Sequence, residues 1–241
     1  MALSSLRARL KSEFAVPYIA AAVSLAALIP LSFIYHPVGY IRLVTEDNLG
    51  EFGTAICHLI AAIMLLVSAT KPVPRSTRIV WIALACVAIF IAGEEISWGK
   101  RLFELTVPEG LEAINTQRDL TIHNIESVRR IGAPAEILSR VILFWSVVSL
   151  AAALFFAATF SAWLARGVPF IPPALIPMFL TVPLFSLSEV PGNSLEIGEL
   201  LFAVSVLLWS FENARRHWMV DREGPGAMLR GGLVLVAIPL C

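Results

Sequence analysis

The sequence predicts an all-α protein: a polytopic membrane bundle of about six transmembrane helices, or seven if a final apolar piece is counted. Three observations carry that reading. Of 241 residues, 58% are hydrophobic and only 15% charged, whereas a soluble domain has about a quarter of its residues charged. The apolar residues are gathered into runs of spanning length, since a bilayer core of about 30 Å takes roughly 20 helical residues. The basic residues crowd into alternate connections, as the positive-inside rule demands.

The runs cover residues 14–35, 52–70, 79–98, 137–163, 170–188 and 195–211. The first follows the basic stretch "MALSSLRARLKSEF" without an A-x-A exit, so it is read as a retained span. The fifth carries Pro172, Pro173, Pro177 and Pro183, with Pro169 and Pro191 flanking it, so it should be kinked or partly unwound. The apolar piece 227–241 is too short to span comfortably. The chain reads as one integral domain, 1–241, with an amphipathic extracytoplasmic loop or lid at 99–134, between helices three and four, and a cytoplasmic tail from 212. Eleven of the eighteen Lys and Arg fall on the side that holds both termini, which places those termini in the cytoplasm of a bacterial inner membrane. Fourteen of the eighteen Asp and Glu fall on the other side, and the positive-inside rule makes no such demand.

Those outer carboxylates lie at helix ends. In "TEDNLGEFGTAICH", Asp47, Glu51, Thr54 and His58 share one helical stripe if helix begins near Asp47. In "GEEISW", Glu94 and Glu95 lie one to two turns short of the outer boundary, where an ionised residue is costly. Adjacent side chains diverge by about 100°, so at least one of the pair faces the bundle interior, there to be protonated, paired or bound to a cation. Lys100 and Arg101 follow at once as candidate partners, Ser97 shares the Glu94 face, and Trp98 is a natural interfacial anchor. Glu196 and Glu199 open the sixth run on a shared face, with Glu189 closing the fifth.

The loop between the third and fourth runs is the sizeable polar connection. Thr106 and Glu109 around Pro108 form a capping-box pattern for a short amphipathic helix on the membrane surface. "NTQRDLTIHN" then packs Asn115, Gln117, Arg118, Asp119, His123 and Asn124 into ten residues, and His123 is the best single candidate for a metal ligand or general base. Glu51, Glu94, Glu95, His123, Glu196 and Glu199 make a hard ligand set for a divalent cation such as Zn²⁺, Fe²⁺, Mn²⁺ or Mg²⁺. Glu94, Glu95, His123 and Ser97 are the catalytic candidates, with Asp47, His58, Asn124, Arg101 and Arg118 as supporting residues. Cys57, Cys86 and Cys241 have no metal-like spacing and read as small hydrophobes.

"GEEISWGKRLF" and "INTQRDLTIHN", with the acids before the second run, resemble a group of bacterial multi-pass membrane proteins that usually carry Gln where this chain has Lys100. That resemblance covers roughly residues 45–124 and implies no activity. More distantly, the helix-end acids, serine and histidines are similar in architecture to the ceramidase and adiponectin-receptor-like membrane hydrolases. The three-histidine zinc site of those hydrolases would here need His36, His58 and His123, since His217 falls on the cytoplasmic side. The first functional expectation is a membrane-embedded, metal-dependent hydrolase or transferase acting at the outer side on a lipid or lipid-linked substrate. The second is a proton- or cation-coupled transporter or channel using the same acids. Against it, the inner halves "IVWIALACVA", "AAALFFAATF" and "LLFAVSVLLW" are apolar. The third is a structural or partner-binding protein whose acids pair with Lys100, Arg101, Arg118, Arg129 and Arg130. No Walker A, GxSxG, HExxH, CxxC or GxGxxG pattern occurs, and nothing supports nucleic-acid binding.

Overall fold

A computed structural model describes Val38 and residues 49–129, 134–186 and 194–223. The first expected span, the terminal apolar piece, His36, Asp47 and Glu189 lie outside the described residues. Among the described residues every regular element is helical: α1 (Leu49–Ala69), α2 (Arg75–Glu95), the single turns α3 (Lys100–Phe103), α4 (Glu109–Glu112) and α5 (Glu126–Arg129), then α6 (Pro134–Phe155), α7 (Ala157–Ala165), α8 (Ile176–Ser186) and α9 (Ser194–Glu223). Residues Leu49–Ala69, Arg75–Glu95, Ile137–Phe155 and Glu196–Ala214 are each long and apolar enough to cross a membrane. These four helices suggest a membrane protein.

Small residues set how closely the helices approach. α1 turns Thr54, Ala55, His58, Ala61, Ala62 and Leu65 inward, and α2 turns Trp81, Ala85, Ala88 and Ala92 to meet it. Such stripes let backbones come together where lipid removes the hydrophobic drive for association. α1 packs on both α2 and α9, α8 on α9 and α6, and α7 on α6. Ile79, Ile82, Val87, Ile89 and Phe90 of α2 point outward, as do Val141, Phe144 and Val147 of α6. That is the lipid-facing surface expected of spanning helices.

Two expected spans come out differently. The run 137–163 is broken at Phe156 (φ −127°, ψ 39°), which separates α6 from α7. In the described part of the run 170–188, helix begins only at Ile176, and α8 is described from there to Ser186. Its prolines remove backbone donors and leave residues 168–172 non-helical. Bare carbonyls there would be costly in lipid, and three indoles meet them. Trp81 Nε1 donates to Gly167 O at 3.0 Å, Trp145 Nε1 to Pro169 O at 2.8 Å and Trp209 Nε1 to Phe170 O at 3.1 Å. Thr77 Oγ1 donates to Arg166 O at 3.0 Å, and Ile171 N donates to Ser149 Oγ at 3.0 Å. The irregular segment is thus sutured to α2, α6 and α9, which satisfies backbone carbonyls that no helix serves. The expected tail from residue 212 begins as more helix, since α9 runs through to Glu223.

Candidate functional site

The third run ends earlier than its apolar length implies. α2 stops at Glu95, and Ser97, Trp98 and Gly99 all take positive φ, at 48°, 52° and 81°. Non-glycine residues rarely enter this region. The reversal folds Trp98 back over the last turn of α2, where its ring covers Gly93 so closely that a Cβ there would sit 2.8 Å from the indole. Trp98 Nε1 then donates to Glu94 Oε1 at 2.6 Å, while its ring meets the exposed Phe90 at 5.6 Å. Trp98 is 42% exposed, which suits its expected role as an anchor.

The other oxygen of Glu94 holds the loop. Ile122 N donates to Oε2 at 2.7 Å and His123 N at 2.9 Å, and His123 Nδ1 lies 3.0 Å from the same atom. Glu94 is 6% exposed. Two main-chain N–H groups and the Trp98 indole N–H thus point at this buried carboxyl, and hydrogen bonds of that kind favour its charged form. Both its oxygens are therefore engaged by the protein's own donors. The expected pairing with Lys100 is absent: Lys100 Nζ donates to Arg118 O at 2.6 Å, at the left-handed Arg118 (φ 55°).

The loop has its own polar core. Its ends are pinched by Thr116 N to Asn124 O (2.9 Å) and Glu126 N to Ile114 O (3.0 Å), around an isolated antiparallel bridge between Asn115 and Ile125. Asn115, Asp119, Thr121 and Asn124 are buried inside. Asn115 Nδ2 donates to Asp119 Oδ1 (2.8 Å) and Thr121 O (2.7 Å), while its Oδ1 accepts Gln117 N at 2.9 Å. Asn124 Nδ2 donates to Thr121 Oγ1 (3.0 Å) and Asp119 Oδ2 (3.3 Å), and Ser97 Oγ reaches the latter at 3.5 Å. Burial alone would raise the Asp119 carboxyl, but hydrogen bonds from Thr121, Asn115 and Asn124 outweigh it and hold the carboxyl below its ordinary value. For His123, burial disfavours the charged ring. The hydrogen bond and charge of Glu94, with the charges of Glu199 and Asp119, win and hold it above the usual imidazole value.

Behind this latch stands the second glutamate of the pair. Glu95 is half-buried and within electrostatic range of Glu199, Glu196, Glu51 and Glu94, and Glu199 is also within range of His123. Acids from α1, α2 and α9 thus share one end of the bundle. A small cleft lined by Glu51, Phe52, Glu95, Ile96 and Leu102 opens on it. Among the described residues, no three His, Cys, Asp or Glu side chains stand in an arrangement that would hold a metal ion. No protein-family model, curated protein or solved structure matches the chain.

Of the candidates, Glu51, Thr54 and His58 share the expected stripe, with His58 fully buried against Phe202 of α9 and its Nδ1 3.0 Å from Thr54 O. Ser97 and Asn124 belong to the loop's polar core, Arg118 is exposed, and the Arg101 side chain is outside the described residues. The expected capping box does not form. Pro108 occupies the N-cap of α4 with no side-chain cap, and the helix is a single turn. Asn115, Asp119 and Thr121 carry the loop's architecture but were not among the candidate site residues. Their signal was the density of short polar side chains, which hydrogen-bond their own backbone.

Proposed function

We propose that the chain is a membrane-embedded enzyme, a hydrolase or transferase, working at this end of the bundle on a lipid or lipid-linked substrate. Glu51, Glu95, Glu196 and Glu199 bind a divalent cation there (Zn²⁺, Fe²⁺, Mn²⁺ or Mg²⁺), closing on it by side-chain rotation. The supporting observation is the convergence of four carboxylates from three helices in one electrostatic field at the ends of spanning segments. The shallow cleft beside them places two acids next to Phe52, Ile96 and Leu102. By charge distribution this end is extracytoplasmic and both termini are cytoplasmic, in a bacterial plasma membrane. Elemental analysis of purified protein tests the cation: a bound divalent ion is expected in the wild type and its loss in Glu95→Gln. Equal metal content in the two, or none in the wild type, removes the cation from the proposal.

Proton or cation translocation is the second reading, favoured by buried polar groups beyond the cluster. His58 Nε2, Ser146 Oγ and Asn213 Nδ2 are buried with no hydrogen-bond partner among the described residues. Against it, the buried hydroxyls of Ser205 and Ser210 on α9 donate back to Leu201 O and Val206 O, one turn earlier, and so offer no continuing path. Cation-driven flux in sealed proteoliposomes, abolished by Glu95→Gln, would favour transport over catalysis.

A further inference from the structure

Glu94 fixes one edge of the His123 ring and leaves the other open. The carboxylate takes the main-chain N–H of His123 at 2.9 Å and faces Nδ1 at 3.0 Å through the same oxygen, so backbone and ring are clamped together. The N–H groups of Ile122, His123 and Trp98 favour Glu94 as the carboxylate, whose oxygens only accept, so the proton of the neutral ring belongs on Nδ1 and the lone pair on Nε2. No described residue hydrogen-bonds Nε2, and the His123 side chain is 42% exposed against 7% for Glu94. The charged groups facing the ring are Glu94 at the end of α2, Glu199 on α9 and Asp119 within the loop, all acidic.

We infer that His123 is the catalytic base of this site and that Glu94 is its positioning residue, with an ester of the acyl or phosphoryl kind as the substrate class. Nε2 takes the proton of water or of a substrate hydroxyl as that oxygen attacks the acyl or phosphoryl centre. The O–H bond breaks as the Nε2–H bond and the new C–O or P–O bond form; the bond from that centre to the leaving oxygen then breaks, and the leaving oxygen takes the proton from Nε2, which restores the neutral ring. The imidazolium that exists between these steps is stabilised by the Glu94 carboxylate against Nδ1–H. This rests on the reading of this end as the reaction site, but its test needs neither a substrate nor a bound cation.

Side-chain ¹⁵N spectra of the full chain in lipid nanodiscs, assigned with His123→Gln, give the tautomer. At a pH above the ring's raised titration, a neutral His123 protonated on Nδ1, with bare Nε2, is expected; the Nε2–H tautomer overturns the dyad. Carbethoxylation by diethyl pyrocarbonate, localised by mass spectrometry, reads reactivity at Nε2. His123 should be labelled, and its labelling midpoint in pH should fall in Glu94→Gln toward the ordinary imidazole value of about 6.5, raising labelling severalfold at neutral pH. An unlabelled His123, or an unmoved midpoint, overturns the assignment. Where Glu94→Gln does not fold, the wild-type tautomer decides alone. A wrong tautomer removes the dyad and leaves the carboxylate set standing, whereas absent metal removes the cation and leaves the dyad standing.

Discussion

Gly93 and Glu94 are neighbours with a shared task, since one makes room for the Trp98 ring and the other accepts its N–H. Gly93→Ala places a methyl 2.8 Å from the indole, which must shift. Overpacking of this kind costs about 1–3 kcal/mol. The expected outcome is a lower melting temperature, with amide exchange accelerated first at residues 122–123 because the Glu94 clamp is displaced; unchanged exchange there would separate the ring from the clamp. The adjacent acids were legible as a pair that cannot share one environment, and they do divide: Glu94 faces the loop and Glu95 the other carboxylates. Which of them did which was not legible. It depends on three consecutive left-handed residues, and only Gly99 announces that conformation in sequence.

At the scale of elements, the loop is held by two titrations of opposite sense. His123 is raised in the folded state, so its contribution is complete below about 6.5 and is lost as pH rises through its higher folded value. Asp119 is lowered, so its contribution is present above the ordinary carboxylate range and is lost as pH falls through its lower folded value. Protection of residues 114–126 against proteolysis should therefore be greatest at mildly acidic to neutral pH and decline toward both extremes. Asp119→Asn should weaken the decline on the acid side alone. The irregular segment before α8 makes a sharper demand. Gly167 has φ 74°, and a Cβ there would lie 2.2 Å from Trp81, so Gly167→Ala combines a clash with left-handed strain of about 1–2 kcal/mol. Detergent-purified Gly167→Ala should melt well below the wild type, and an equal melting point would show that the indole suture adds little. The prolines announced a broken fifth run, but nothing in the local sequence says that indoles from three other helices close the break. That information is tertiary.

For the whole molecule, the fold class was legible from hydropathy alone, because lipid leaves helices as the economical way to satisfy backbone polar groups. The count of spans was less legible, since Phe156 interrupts one apolar run and prolines keep the start of another out of helix. The gathering of Glu51, Glu95, Glu196 and Glu199 could be anticipated from their shared position at helix ends, but their helices become neighbours only through α1, which packs on both α2 and α9. Sidedness has a direct check. Gly110 has open space around its Cβ position, so Gly110→Cys should react with a membrane-impermeant maleimide from the extracytoplasmic side without loss of fold. Labelling only after the membrane is permeabilised would invert the proposed topology.

The three indoles that meet Gly167, Pro169 and Phe170 also impose an order on assembly. Trp81 and Trp145 are synthesised before the carbonyls they serve, but Trp209 comes some forty residues after Phe170, near the middle of α9. Until α9 is in place, Phe170 O lacks its indole. A ribosome delivers chain from the N-terminus, so the half-made protein is an intermediate whose irregular segment awaits one late helix. Shortening the chain before residue 194 should thus yield a product that membrane proteases remove faster than the intact protein, and α9 supplied as a separate polypeptide should slow that removal.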